Sequence, residues 1–357
     1  MQNVIRSILA IVFIIGTISV VRNSMEGNEK PLIPVELTSK SKDMQESESF
    51  TGEIHQSVFI PYWNIPPSPS EVDDFDSLIY FGISYDVTGK LIRDTGFMNI
   101  DSFIKNTSQD KERILTVRML NTEDNLVILD DVSRQSLVIN QTLDLVEQYG
   151  FDGVVLDLEM GVIPFDDAKD SITQFTLLFS DSAHDSEKTF SMTMYGDVFY
   201  RARPYDVEKL AHVVDEIYVM AYDFHKSRGE PGPNFPFDRQ SLGDGGLTYD
   251  FQTMINDFIQ IVPREKITIL FGMYGYDWTL GAQGKPLKAA KAVALREIDS
   301  EGSIIDPLSK EKHILYTDDE GYKHELWFED EESVNVKIEY LKNQGIGSVG
   351  YWVWGYF

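Results

Sequence analysis

Two carboxylates stand two residues apart in an apolar run, Phe151-Asp152-Gly153-Val154-Val155-Leu156-Asp157-Leu158-Glu159. In a strand, side chains alternate between faces, so Val155, Asp157 and Glu159 share one face. If that face is buried, two acids on it are costly unless they serve a purpose. Their proximity raises the pKa of one, and a carboxyl held protonated near neutral pH can give its proton to a leaving group. The alternative is structural, with the pair holding an internal Arg or Lys. Metal chemistry has weaker grounds: the six histidines, at 55, 184, 212, 225, 313 and 324, are scattered, with no His-x-x-x-His pair. No Gly-x-Ser-x-Gly elbow marks a serine nucleophile. The chain has no cysteine, which removes thiolate nucleophiles, thiolate metal sites and disulfides. No cofactor and no metal is expected.

An acid pair of this kind needs a rigid frame. Short β-branched or apolar runs at 57–63, 77–85, 113–120, 153–159, 189–195, 216–224, 266–274 and 348–354 read as eight strands. Helical spacing fills the gaps at 136–149, 172–182, 207–214, 251–262 and 334–344. Strand-then-helix repetition predicts a parallel sheet, and eight units in one domain predict an α/β fold of the (β/α)8 TIM barrel type. The barrel places Glu159 at the carboxyl mouth, where such folds build their sites. A doubly wound open sheet would want a glycine-rich turn after the first strand, and PYWNIPPSPS is not one. The rhythm breaks between strands seven and eight. Residues 279–333 predict a small insertion on the rim, with a helix over 286–298 and a hairpin turning at Asp318-Asp319-Glu320-Gly321.

The chain has 357 residues and a net charge of −27, which argues against nucleic acid and anionic membranes as partners. Residues 1–22 place Arg6 ahead of an uncharged apolar stretch from Ser7 to Val21, the layout of a signal peptide or an N-terminal membrane anchor. Residues 23–56 are polar and aperiodic and read as a linker, leaving 57–357 for the barrel. Membrane contact is expected only through the N-terminal segment. Together with the missing cysteines this points to a secreted chain, or one on the extracellular face of a bacterial membrane. A monomer is the expectation.

Asp152-Gly153-x-x-x-Asp157-x-Glu159 at the end of a fourth strand resembles glycoside hydrolase family 18. Tyr218-Val219-Met220-Ala221-Tyr222-Asp223 is similar to that family's sixth-strand motif, and Phe271 to Trp278 to its seventh-strand end. PGPNFPF at 231–237 and the run from His324 to Gly355 resemble its bacterial spore and cell-wall branch.

The resemblance implies retaining, substrate-assisted hydrolysis of β-1,4-linked N-acetylglucosamine polysaccharide, with peptidoglycan favoured over chitin. Glu159 would be the general acid and then the base. Asp157 would orient the acetamido group that attacks the anomeric carbon, and Tyr222 would bond that group from the far side. Trp352 matches the aromatic floor under the reacting sugar, with Trp354 placed on the same face. Asp223, Met220, Tyr274 and Tyr62 would line the site. One position departs from the family: it carries Asp or Asn where this chain has Val155. Loss of that partner implies reduced activity or a shifted pH optimum. It also motivates a different reading, a catalytically weak or inactive sugar-binding barrel.

Overall fold

A computed structural model of the chain describes residues 49–161, 166–238 and 249–357. The expected leader at 1–22 and most of the expected linker lie outside the described residues. Eight parallel strands close into a barrel: β1 (His55–Pro61), β2 (Ser77–Ser84), β3 (Glu112–Met119), β4 (Gly153–Leu158), β5 (Thr189–Tyr195), β6 (Glu216–Ala221), β7 (Ile267–Gly272) and, last in the chain, β13 (Ser348–Trp352). Neighbours in sequence are neighbours in space, and β13 closes the ring between β7 and β1. The folded body begins ahead of the expected Ser57. The Phe50 amide donates to the Lys342 carbonyl, and β1 starts at His55.

Helices cover the outside: α1 (Thr95–Met98), α2 (Ile100–Lys105), α3 (Thr122–Leu129), α4 (Val132–Tyr149), α5 (Asp166–Asp185), α6 (Val207–Val213), α7 (Phe251–Ile261) and α8 (Glu331–Asn343). The five helices expected between the barrel strands form, several with longer ends. The three short or early ones, α1 to α3, are too brief to show a clear period. Asp or Asn side chains cap the starts of α1, α3, α4, α6, α7 and α8. Asp131 accepts from the Ser133 and Arg134 amides, and Gly150 ends α4 in the left-handed region at φ 68°, where glycine has no steric cost.

Two apolar layers result. One, with Leu78, Leu115, Val154, Phe175 and Phe190, packs the outer strand faces against the helices. The other fills the barrel itself and contains Phe59, Ile79, Ile114, Val155, Tyr218 and Leu270. Strand alternation separates them, as period two requires.

The insertion is a five-stranded antiparallel sheet made of β8 (Tyr274–Leu280), β9 (Lys291–Ala294), β10 (Ile304–Ile305), β11 (Lys312–Thr317) and β12 (Lys323–Phe328), in the order β10-β11-β12-β8-β9. The hairpin across Asp318–Gly321 forms as expected. The helix expected over 286–298 does not. Lys291–Ala294 pairs as an edge strand with Tyr274–Asp277, and only a single 3-10 turn follows at Leu295–Glu297. Sheet pairing outweighs the helical preference of an Ala- and Lys-rich stretch. The insertion also starts earlier than expected, because the seventh barrel strand ends at Gly272 and Tyr274, the last residue of the run, already opens β8 of the antiparallel sheet. At Gly275 a Cβ would lie 2.3 Å from the Trp327 carbonyl oxygen, so only glycine lets β12 approach.

Candidate active site

Inward-facing side chains at the carboxyl end of the barrel form the walls of one cavity of about 420 Å³. β4 supplies Asp157 and carries Glu159 just past its end. The backbone there is pinned: the Tyr205 hydroxyl donates to the Leu158 carbonyl at 2.7 Å and accepts from the Met160 amide at 2.8 Å. The Asn125 side-chain amide donates to the Glu159 carbonyl at 3.0 Å. Such second contacts hold a carboxyl in one place without consuming its oxygens.

Asp157 is 4% exposed and accepts a 2.5 Å hydrogen bond from Thr193 of β5. Burial, reinforced by the neighbouring Glu159 charge, pushes its pKa up to about 7. Glu159 accepts from the Tyr195 hydroxyl at 2.8 Å. Burial raises its pKa too, against the Tyr195 bond and with help from Asp223. Neither guanidinium whose charge reaches the pair forms an ion pair with it: Arg203 is held by Asp197 at 2.7 Å, and Arg118 has only a long contact with Asp94 at 3.8 Å. Among the described residues neither acid sits in an ion pair, so the purely structural account of the pair loses its partner.

The opposite wall is aromatic. Trp352 lies edge-on to Phe81 at 4.7 Å between ring centroids, and nearly parallel to Tyr222 at 6.5 Å and 26°. Burial and the Asp157, Glu159 and Asp223 charges hold the Tyr222 phenol well above its ordinary range, so it is a neutral hydrogen-bond donor at any physiological pH. Asp223 takes the left-handed backbone at φ 58°, and its amide donates to Asn234 Oδ1 at 2.8 Å. Its carboxylate accepts from Tyr274 and, at 2.9 Å, from Tyr276.

A cavity lined by an acid pair, phenols and, across the barrel on β13, an indole suits an amide-bearing sugar. The sequence profile of glycosyl hydrolases family 18 matches residues 90–356. The chain belongs to that family. It is 29% identical to the cortical fragment-lytic enzyme of Bacillus cereus over 238 residues, 63% of this chain and 51% of that protein. Against the cortical fragment-lytic enzyme of Bacillus subtilis the identity is 27% over 243 residues, 64% of this chain and 52% of that protein. The chain thus spans about half the length of the curated relatives it matches. The solved Bacillus cereus spore cortex-lytic enzyme SleL shares the fold, with a TM-score of 0.67 at 23% identity over 85% of this chain and 72% of that one.

As a family 18 barrel, the chain brings Glu159, Asp157, Tyr222, Trp352, Asp223, Met220 and Tyr274 onto one cavity. Tyr62 does not join them. Its ring packs on Trp63 at 4.9 Å and under the Arg118 guanidinium, and Trp63 takes the place at the cavity. Trp354 also leaves the expected face. β13 ends at Trp352, alternation stops there, and Tyr356 lines the cavity instead. Sequence reasoning missed Thr193, Tyr195 and Arg118. Period-two alternation on β5 and β3 carries them, since Arg118 shares the register of Asp157.

Val155 is fully buried directly below Asp157, among Phe59, Ile79 and Leu270. Thr193 supplies a donor to Asp157 from the next strand, where the sequence alone left it without one. Beside Val155 in the sheet stand Thr116 and Ser191, and the Thr116 hydroxyl has no partner among the described residues. Val155→Asn therefore enters a place with polar neighbours. A second donor beneath Asp157 favours its charged form and lowers its pKa. The pH–rate profile of the variant is expected to move toward acid. A profile superimposable on the parent's would show that position 155 does not act on the pair.

The raised pKa of Asp157 has a consequence for stability. The folded chain holds this proton more tightly than the unfolded chain, so the contribution is complete below the ordinary value of 3.8 and is lost as pH rises through about 7. Asp157→Asn removes the titration while keeping the shape. The variant is expected to exceed the parent in stability at pH 8 by on the order of 2 kcal/mol, with the difference closing toward pH 4. Thermal midpoints at both pH values check it, and a gap that persists in acid would refute the linkage.

Proposed function

We propose that the chain is a retaining hydrolase of β-1,4-linked N-acetylglucosamine polysaccharide, acting by substrate assistance, with peptidoglycan preferred to chitin. The observation that carries this is the unpaired acid couple, Glu159 and the buried Asp157, sharing one cavity with Tyr222 and the Trp352 indole. Glu159, whose pKa burial raises, gives its proton to the glycosidic oxygen. The sugar's acetamido oxygen attacks the anomeric carbon from the other side, and the leaving alcohol departs with the proton. Asp157 holds the acetamido nitrogen and balances the positive oxazolinium that forms, while Tyr222 donates to the same group. Glu159, now a carboxylate, takes a proton from water as the water oxygen bonds the anomeric carbon; the bond from that carbon to the acetamido oxygen breaks, opening the oxazolinium ring and restoring the first configuration.

The preference for wall glycan is supported by the likeness to cortical fragment-lytic enzymes, and it fits a place outside the cell membrane. No helix among the described residues is long and apolar enough to cross a membrane. Digestion of purified peptidoglycan and of chitin, with mass spectrometry of the fragments, tests the reading. Reducing-end N-acetylglucosamine products from the parent chain, with none from Glu159→Gln, are expected. Binding without cleavage by the parent would replace the hydrolase with a sugar-binding barrel.

A further inference from the structure

Arg118 is the one cationic side chain lining the cavity among the described residues. The reaction as drawn gives it nothing to do. Its guanidinium lies 4.9 Å from the Tyr62 ring centroid and 5.3 Å from that of Phe81, which steadies it without using its N–H groups. Nη2 makes long contacts only, 3.4 Å to Ser84 Oγ and 3.8 Å to Asp94. Asp94 is a weak partner, because it is 40% exposed and one of its oxygens already caps α1 through the Gly96 and Phe97 amides. Arg118 Nε is buried and has no partner among the described residues. A side chain with five donors, 12% exposed, is thus held in place with most of its bonding capacity unspent.

Its neighbours at the cavity are apolar and open. Trp63 is 50% exposed and Leu120 is 46% exposed. An indole face suits a sugar ring, a leucine suits a small alkyl group, and a guanidinium with free N–H groups suits a carboxylate. A plain N-acetylglucosamine polymer carries no group that needs the third of these. The chain's net charge of −27 repels an anionic polymer at long range, so attraction for one must come from within the site.

From these contacts we infer that Arg118, flanked by Trp63 and Leu120, forms a subsite for a saccharide whose substituent ends in a carboxylate. In wall glycan that group is either the free lactyl acid of N-acetylmuramic acid or a carboxylate of the peptide attached to it. The inference rests on the hydrolase reading above and assigns its selectivity for wall glycan over chitin to this subsite.

Calorimetric binding to Glu159→Gln tests it separately from turnover. The ligands are a chitin tetramer and three alternating N-acetylglucosamine–N-acetylmuramic acid tetramers: one with free lactyl acids, one with lactyl methylamides, and one with lactyl groups joined to a dipeptide that keeps a free carboxylate. At least tenfold tighter binding of an acid form than of the methylamide and chitin forms is expected, and the preferred acid identifies the source. Adding Arg118→Gln is expected to reduce that preference to within about twofold. The subsite is refuted if acid and methylamide bind alike, or if no tetramer binds. It is also refuted if Arg118→Gln weakens every ligand equally, which would make Arg118 a positioning residue for Asp157. The ligand series on Glu159→Gln alone decides the matter should the double variant fail to fold. Failure of the hydrolase reading shows instead as absence of turnover by the parent chain.

Discussion

Glu159→Gln is expected to lower kcat by roughly 10³-fold while oligosaccharide affinity stays within a few-fold of the parent. The expectation follows from what the substitution changes. Gln keeps the length and planarity of Glu, and its amide oxygen can still accept the Tyr195 hydroxyl, which bonds Glu159 at 2.8 Å in the parent. The pinned backbone through Tyr205 and Asn125 is untouched. What is lost is a proton that can be given to the leaving oxygen and later taken from water, so both chemical steps suffer. The parent's pH–rate profile should fall on the alkaline side as Glu159 loses its proton, displaced upward from an ordinary carboxylate because burial and Asp223 raise its pKa. Single-turnover rates and binding isotherms on one oligosaccharide separate the two effects. A variant retaining a tenth of the parent's kcat would mean that another group supplies the proton.

The barrel was legible because its signals are local. Each strand is a short β-branched run, each long helix has a 3.6-residue stripe, and eight repeats leave few alternatives. The acid pair was legible because two carboxylates at i and i+2 in an apolar run are expensive unless used. Contacts that cross between strands were harder to read. Thr193, Tyr195 and Arg118 reach the pair only through the register of β3, β4 and β5, which no single run encodes. Tyr62 and Trp63 show the same limit: both are aromatic at the end of β1, and the turn after Pro61 decides which faces the cavity. The insertion misled for a different reason. Residues 286–298 have helical composition, yet an open edge on β8 captures Lys291–Ala294 as a strand. Pairing of that kind is set by the tertiary neighbour and not by the segment's own preference.

The same insertion carries the largest expected stability effect. Lys337 of α8 is fully buried between Glu311, 3.2 Å away, and Glu329, which it also contacts. Burial pulls the Lys337 pKa down, but the two carboxylates more than offset that and hold it raised. Burial, with a smaller push from the Glu311 charge, raises Glu329 to about 7 despite the ammonium. Glu311 does more than balance charge. It accepts from the Asn234 and Phe235 amides, and Asn234 in turn holds the Asp223 amide beside the cavity. Lys337→Met keeps the volume of the stem but leaves two buried carboxylates without their cation, which is expected to cost about 3–5 kcal/mol. Denaturant unfolding at pH 8 measures it. The loss should shrink as pH falls through about 7 and Glu329 takes up its proton, because a neutral carboxyl no longer needs the ammonium. Adding Glu311→Gln and Glu329→Gln should restore much of the stability for the same reason. A loss below about 1 kcal/mol for Lys337→Met would show that water reaches the acids and that the triad does not hold the insertion to the barrel.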